Sequence, residues 1–89
     1  MKHNNNYFLL SVDDTYFLSP SDEIKEDDNN VMFLNETSAF IYKLLDDEQS
    51  FDSLVEKLTD EYNVDVDTAK KDIDGFISFL KENKCLVQE

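Results

Sequence analysis

Apolar residues along this chain occur first in short unbroken runs and later at every third or fourth position. The runs YFLLSV, Tyr7 to Val12, and TYFLS, Thr15 to Ser19, are separated only by Asp13 and Asp14. Aromatic and aliphatic runs joined by two turn-forming residues predict two strands and a tight turn. Pro20 follows; lacking an N–H for a ladder, it ends the second strand or sits on an edge. Residues 21–30, SDEIKEDDNN, hold charges and turn formers around the isolated Ile24 and read as a mobile loop. VMFL, Val31 to Leu34, is the third predicted strand, with Val31 and Phe33 on one face and Met32 and Leu34 on the other. Both faces are apolar, which predicts that both are covered.

The period then changes from two to 3.6. Asn35 is a good N-cap and Glu36 suits the first turn, so a first helix is predicted to run to about Asp46. Ser50 caps a second helix whose apolar positions, Phe51, Leu54, Val55, Leu58 and Tyr62, repeat with helical spacing. Asp65 or Asp67 caps a third helix reaching about Asn83, with the stripe Val66, Ala69, Ile73, Phe76, Ile77 and Leu80. Cys85, Leu86 and Val87 leave it as a short extended tail, while polar residues 1–6 are expected to be disordered. With no repeat or linker in view, residues 7–89 read as a single domain. Three strands in an antiparallel sheet followed by three helices is the order of a winged-helix-like α+β domain.

Charge narrows what such a domain can bind. The 89 residues carry 21 acidic against eight basic side chains, a net charge of -13. Nucleic-acid binding relies on Lys and Arg to displace counterions from phosphates, so a DNA-binding regulator is a poor fit. Anionic membranes are disfavoured for the same reason. The third helix, where a DNA-binding relative would read the groove, sets Lys70, Lys71, Lys81 and Lys84 against Asp67, Asp72, Asp74 and Glu82. A basic protein or peptide partner would gain association rate. The acidic runs at Asp13-Asp14, Asp27-Asp28, Asp46 to Glu48 and Asp60-Glu61 either steer such a partner or simply solvate turns and helix ends. One cysteine forms no intrachain disulfide, and MKHNNNYF has no secretory-signal pattern, so a cytoplasmic location is expected.

No catalytic or metal-binding constellation emerges, and the chain is expected to be neither an enzyme nor a holder of cofactors. Asn63, Asp65, Asp67 and Asp74 imitate part of a calcium loop, but Thr68 and Asp74 stand where Gly and a bidentate Glu are needed, and helix capping explains the acids better. His3 and Cys85 fall short of a ligand set, and no base is evident for Cys85 as nucleophile. Two features point instead to peptide binding. A three-stranded sheet has two edges, each with unpaired N–H and C=O groups that an extended peptide can complete. On the third helix, Phe79 lies roughly 100° from the centre of the stripe, on a flank shared with Asp72, Gly75 and Asn83. Gly75, the only glycine, costs about 1 kcal/mol relative to Ala in a helix interior. Either Phe79 walls a groove that Gly75 opens to a close approach, or Phe79 widens the core and Gly75 is merely tolerated. A self-pairing module whose open edge joins a second copy is the other non-catalytic alternative.

The segment from Leu34 to Val87, LNETSAFIYKLLDDEQSFDSLVEKLTDEYNVDVDTAKKDIDGFISFLKENKCLV, resembles the PqqD-like proteins, also called RiPP recognition elements. The likeness extends over residues 7 to 88 and is most specific at Leu34-Asn35-Glu36-Thr37, at Leu44-Leu45 and from Tyr62 to Asp72. Ser38 stands where Gly is usual, Tyr42 where Trp is frequent, and Cys85 where Gly often ends the last helix. The resemblance implies an adaptor in RiPP biosynthesis that binds the leader of a ribosomally made precursor peptide and presents it to a modifying enzyme, often a radical SAM maturase. It implies a leader strand beside Val31, Met32, Phe33 and Leu34, facing the exposed flank of the third helix. The candidate contacts on that helix are Asp72, Gly75, Phe76, Phe79 and Asn83. A monomer or weak dimer is expected.

Overall fold

A computed structural model describes residues 1–4, 7–20 and 31–87. Three strands, β1 (Tyr7–Val12), β2 (Thr15–Pro20) and β3 (Met32–Leu34), precede three helices, α1 (Glu36–Leu44), α2 (Phe51–Glu61) and α3 (Val66–Glu82). The architecture is α+β, a three-stranded antiparallel sheet followed by three helices, as the sequence predicts. The loop predicted for residues 21–30 lies outside the described residues.

The sheet order is β1-β2-β3. Asp13 and Asp14 both have positive φ, 49° and 68°, as a two-residue type I′ hairpin turn requires. Such a turn makes the flanking pair, Val12 and Thr15, a hydrogen-bonded one. Alternation along the ladder then gives Phe17 to β1, and gives Tyr16 and Leu18 to their partners Leu34 and Met32 on β3. Pro20 lies opposite Tyr7 at a non-hydrogen-bonded position, so its missing N–H leaves no gap in the β1–β2 ladder. Tyr7, Leu9, Leu18, Met32 and Leu34 pack towards the helices.

Each helix begins where its cap lies. The side chains of Asn35, Ser50 and Asp65 accept hydrogen bonds from the backbone N–H groups of Ser38, Ser53 and Thr68, and Ser50 with Ser53 completes a capping box. The Thr68 hydrogen bonds hold the Asp65 carboxyl below its ordinary range. Helix α1 stops at Leu44, short of the predicted Asp46. Gln49, buried between α1 and α2, donates from its amide to the Leu44 carbonyl at 3.0 Å, and its own carbonyl accepts from Ser53. Leu18, Ile41, Leu45, Leu54, Leu58, Ile73 and Leu80 are wholly buried, each contributing on the order of 2 kcal/mol of apolar transfer. Val66, predicted in the α3 stripe, is half-exposed because it occupies the first helical turn, ahead of the packed segment.

The α3 terminus and the start of the chain differ most from expectation. Lys84, not Cys85, takes the left-handed conformation that glycine usually fills, with φ 58°. The Lys84 and Cys85 N–H groups bond back to the Lys81 and Leu80 carbonyls, closing a Schellman turn that leaves the Cys85 thiol in the core. Residues 1–6 were expected to be disordered, yet residues 1–4 are tied down by backbone hydrogen bonds from His3 to Leu45, Asn4 to Cys85, Gln49 to Met1 and Val87 to Lys2. His3 also forms a β-bridge with Leu86 and stacks on Tyr42 at 4.3 Å between ring centroids. Residues 5 and 6 lie outside the described residues.

Candidate functional site

The two edges of the sheet are not equivalent. By the same ladder alternation, Tyr7, Leu9 and Ser11 turn their backbone groups outward on β1, whereas Phe33 does so on β3. On the β1 side the Tyr42 hydroxyl donates to the Tyr7 carbonyl at 3.1 Å. Burial, reinforced by nearby Cys85 and Asp46, pushes the Tyr42 phenol far above its ordinary range, so it remains a donor at any physiological pH. A cleft of about 440 Å³ beside this edge is partly walled by His3, Tyr42, Lys43 and Asp46. His3 pairs there with the Asp46 carboxylate. The β1 edge is thus partly occupied by the protein's own groups. Among the described residues β3 pairs only with β2, leaving the outward amide and carbonyl of Phe33 on an open edge.

The prediction that both faces of β3 are covered is incorrect. Met32 and Leu34 pack inward, but Phe33 is 72% exposed and Val31, just before the strand, 41%. The physical reason is the layer order: Met32 and Leu34 pack on the core built by the three helices, whereas the Phe33 ring lies beside Phe17 of β2, 6.1 Å away between centroids.

A second cavity, of about 280 Å³, opens where β3 gives way to α1. Asn35, the residue immediately after β3, forms part of its wall with Thr37, Ser38 and Ile41 of α1. The opposite wall comes from α3: Lys71, Asp72, Gly75 and Phe76. Ile41 and Phe76 are buried, so the lining is apolar towards the core and polar at the mouth, where Lys71 and Asp72 are exposed. Asn35 is held in place twice, accepting from the Ser38 N–H at 2.8 Å and from the Thr37 hydroxyl at 3.0 Å.

Of the predicted α3 residues, the structure therefore brings Asp72, Gly75 and Phe76 together. Phe79 is half-buried, packs against the core and stacks on Phe76 with centroids 6.0 Å apart; it supports the cavity wall from behind without lining it. Asn83 is the C-cap of α3, its side-chain amide donating to the Phe79 carbonyl at 2.9 Å, and it stands away from the cavity. Thr37, Ser38, Ile41 and Lys71 were not predicted as lining residues. Lys71 belongs to the Asp72–Gly75 flank by its i, i+4 spacing from Gly75, and that signal was available in the sequence.

Gly75 is the most informative of these positions. It has no positive φ, and a Cβ built on it meets nothing within 4 Å. Neither backbone conformation nor internal packing requires glycine there, although it weakens the helix by about 1 kcal/mol. What the missing side chain does provide is bare helix backbone on the cavity wall.

A family model described as Coenzyme PQQ synthesis protein D (PqqD) matches residues 7–86. The chain belongs to the PqqD family. The match begins at β1 and ends beyond α3, so both cavity walls and the β3 edge fall within the PqqD region. A solved structure described as TbiB1 in complex with the TbiA(beta) leader peptide superimposes with a TM-score of 0.76. The alignment covers 100% of this chain and 98% of that one at 21% identity, and it establishes that the two share a fold. A search of curated proteins returns no significant match.

Proposed function

We propose that this PqqD-family chain is a RiPP recognition element, a non-catalytic adaptor that binds the leader of a ribosomally made precursor peptide by strand addition at β3 and presents it to a modifying enzyme. The observation that carries the reading is the open β3 edge at Phe33, running directly into the cavity between Asn35 and Gly75. A guest strand beside β3 would complete the Phe33 amide and carbonyl, gaining affinity from backbone pairing with little regard to sequence. Alternate guest side chains would point inward, where the cavity offers apolar depth at Ile41 and Phe76 and a place for close approach at Gly75. The relative described as a leader-peptide complex shares the fold and supports this reading. A radical SAM maturase is the proposed enzyme and the cytoplasm the proposed compartment. Among the described residues no helix is long and apolar enough to cross a membrane.

Phe33→Pro tests the reading. Proline is tolerated on an edge strand when the N–H it removes faces outward, and the lost ring is already mostly exposed. The variant is expected to keep its far-UV circular dichroism and melt near the parent. Its affinity for a synthetic leader peptide should fall roughly tenfold or more, because one pairing group is lost and the pyrrolidine ring obstructs the incoming strand. A folded Phe33→Pro protein that binds the leader as tightly as the parent would overturn strand addition at β3.

A further inference from the structure

The side of the sheet facing away from the helices is apolar where a two-layer fold would place polar residues. Phe8, Leu10 and Val12 of β1 are 56%, 45% and 56% exposed, and Phe33 of β3 joins them. The strand register makes this a connected surface. Leu10 stands opposite Phe17, and Phe17 opposite Phe33, so one apolar row crosses all three strands. Contiguous exposed apolar patches on small domains mark interaction sites, and antiparallel sheets with one solvated face ordinarily alternate polar residues outward.

We infer that this outer face is a docking surface for the modifying enzyme, and specifically for an apolar patch on it bordered by Lys or Arg. The inference rests on the leader-binding reading above and adds where the second partner sits. Two observations select that occupant. The apolar row ends at Phe33, on the same open edge that receives the guest strand. A peptide added to β3 continues the sheet, and its outward-pointing side chains extend the row beyond Phe33. One partner covering this face touches both adaptor and leader, which makes enzyme binding depend on leader occupancy. Charge supplies the second selection. Asp13 and Asp14 stand at the turn end of the face, next to Val12, and the chain as a whole carries -13. A second copy, an anionic membrane or a nucleic acid would meet like charge, whereas a basic rim around an apolar patch would be attracted.

The test uses the purified modifying enzyme that acts on the same precursor, titrated against the full chain with and without a synthetic leader peptide. The double variant Phe8→Thr/Leu10→Thr lies on β1, across the sheet from the leader edge, and threonine preserves strand propensity. It should bind leader like the parent while its affinity for the enzyme drops roughly tenfold or more. Asp13→Asn/Asp14→Asn keeps residues that accept positive φ, and should lower the association rate several-fold at low salt with little change in dissociation. Leader should raise the parent's affinity for the enzyme. Enzyme binding unaffected by Phe8→Thr/Leu10→Thr, or a concentration-dependent dimer of the parent that this variant abolishes, would overturn the assignment. Because leader affinity is measured in parallel, failure of the leader reading itself would appear separately, as a parent chain that binds no peptide.

Discussion

Two residues in this small protein have environments at odds with their ordinary cost. Gly75 weakens α3, yet a methyl group there would meet no internal neighbour. Gly75→Ala is therefore expected to raise stability by up to about 1 kcal/mol in denaturant titration. If a guest strand approaches the bare helix backbone, the same change should weaken leader binding, an opposition that a merely tolerated glycine would not produce. Cys85 is buried beneath the Schellman turn, and burial pushes its thiol up from the ordinary 9.0 to about 11. The unfolded chain's thiol ionises first. Its contribution to stability is thus complete below about pH 9 and is lost progressively as the pH rises towards 11. Midpoints of urea unfolding measured across that interval should fall, and should fall less steeply in Cys85→Ala. At neutral pH, alkylation of Cys85 by iodoacetamide should be slow in the native protein and rapid in urea.

Among the elements, what could be read from the sequence is what is encoded locally. The Asp13-Asp14 turn, the caps at Asn35, Ser50 and Asp65, and the buried stripe from Ala69 to Leu80 each depend on residues within a turn or two, and each stands where the pattern placed it. The covering of β3 and the anchoring of residues 1–4 instead depend on partners far apart in the chain. Whether the Phe33 face is covered depends on which side of the sheet the helices choose, and the apolar character of Val31 and Phe33 could not distinguish a buried face from a docking face. The candidate site divides the same way: the Asp72–Gly75 flank followed from helical period, while Asn35, Thr37 and Ser38 joined it only through the crossing of α1 and α3. Gln49 ties the end of α1 to the start of α2 over only a few residues. Its amide satisfies the Leu44 carbonyl and its carbonyl receives the Ser53 hydroxyl. Replacing it with Leu retains bulk but removes both bonds; because the Leu44 carbonyl still accepts from the Asp47 N–H and the Ser53 hydroxyl still donates to the Ser50 carbonyl, Gln49→Leu is expected to lower stability by only about 1 kcal/mol in urea unfolding. Gln49→Glu, which keeps the acceptor for Ser53 and loses the amide donor, separates the two bonds.

At the scale of the whole molecule, charge density governs both stability and encounter, with opposite dependence on salt. Every described Asp and Glu side chain is exposed, and the folded chain has a radius of gyration of only 13.0 Å. The Debye length is about 30 Å at 0.01 M ionic strength, so at that salt each acid feels nearly all the others. Unfolding spreads the same -13 through a volume of roughly twice that radius or more, relieving the repulsion. Added salt should therefore stabilise the fold. Going from 0.01 M to about 0.5 M sodium chloride is expected to contribute about 1 kcal/mol, which for a domain of this size moves Tm by roughly 4–8 °C. Encounter with a basic leader or a basic enzyme rim should respond in the opposite direction, slowing steeply over the same range because the screened field no longer steers. Melting curves and stopped-flow association, run in the same buffers, test the two limbs together. A Tm that rises while the association rate stays flat would mean that the acidic surface acts on the fold alone; both moving as expected would mean that one charge distribution destabilises the free protein and draws in its partners.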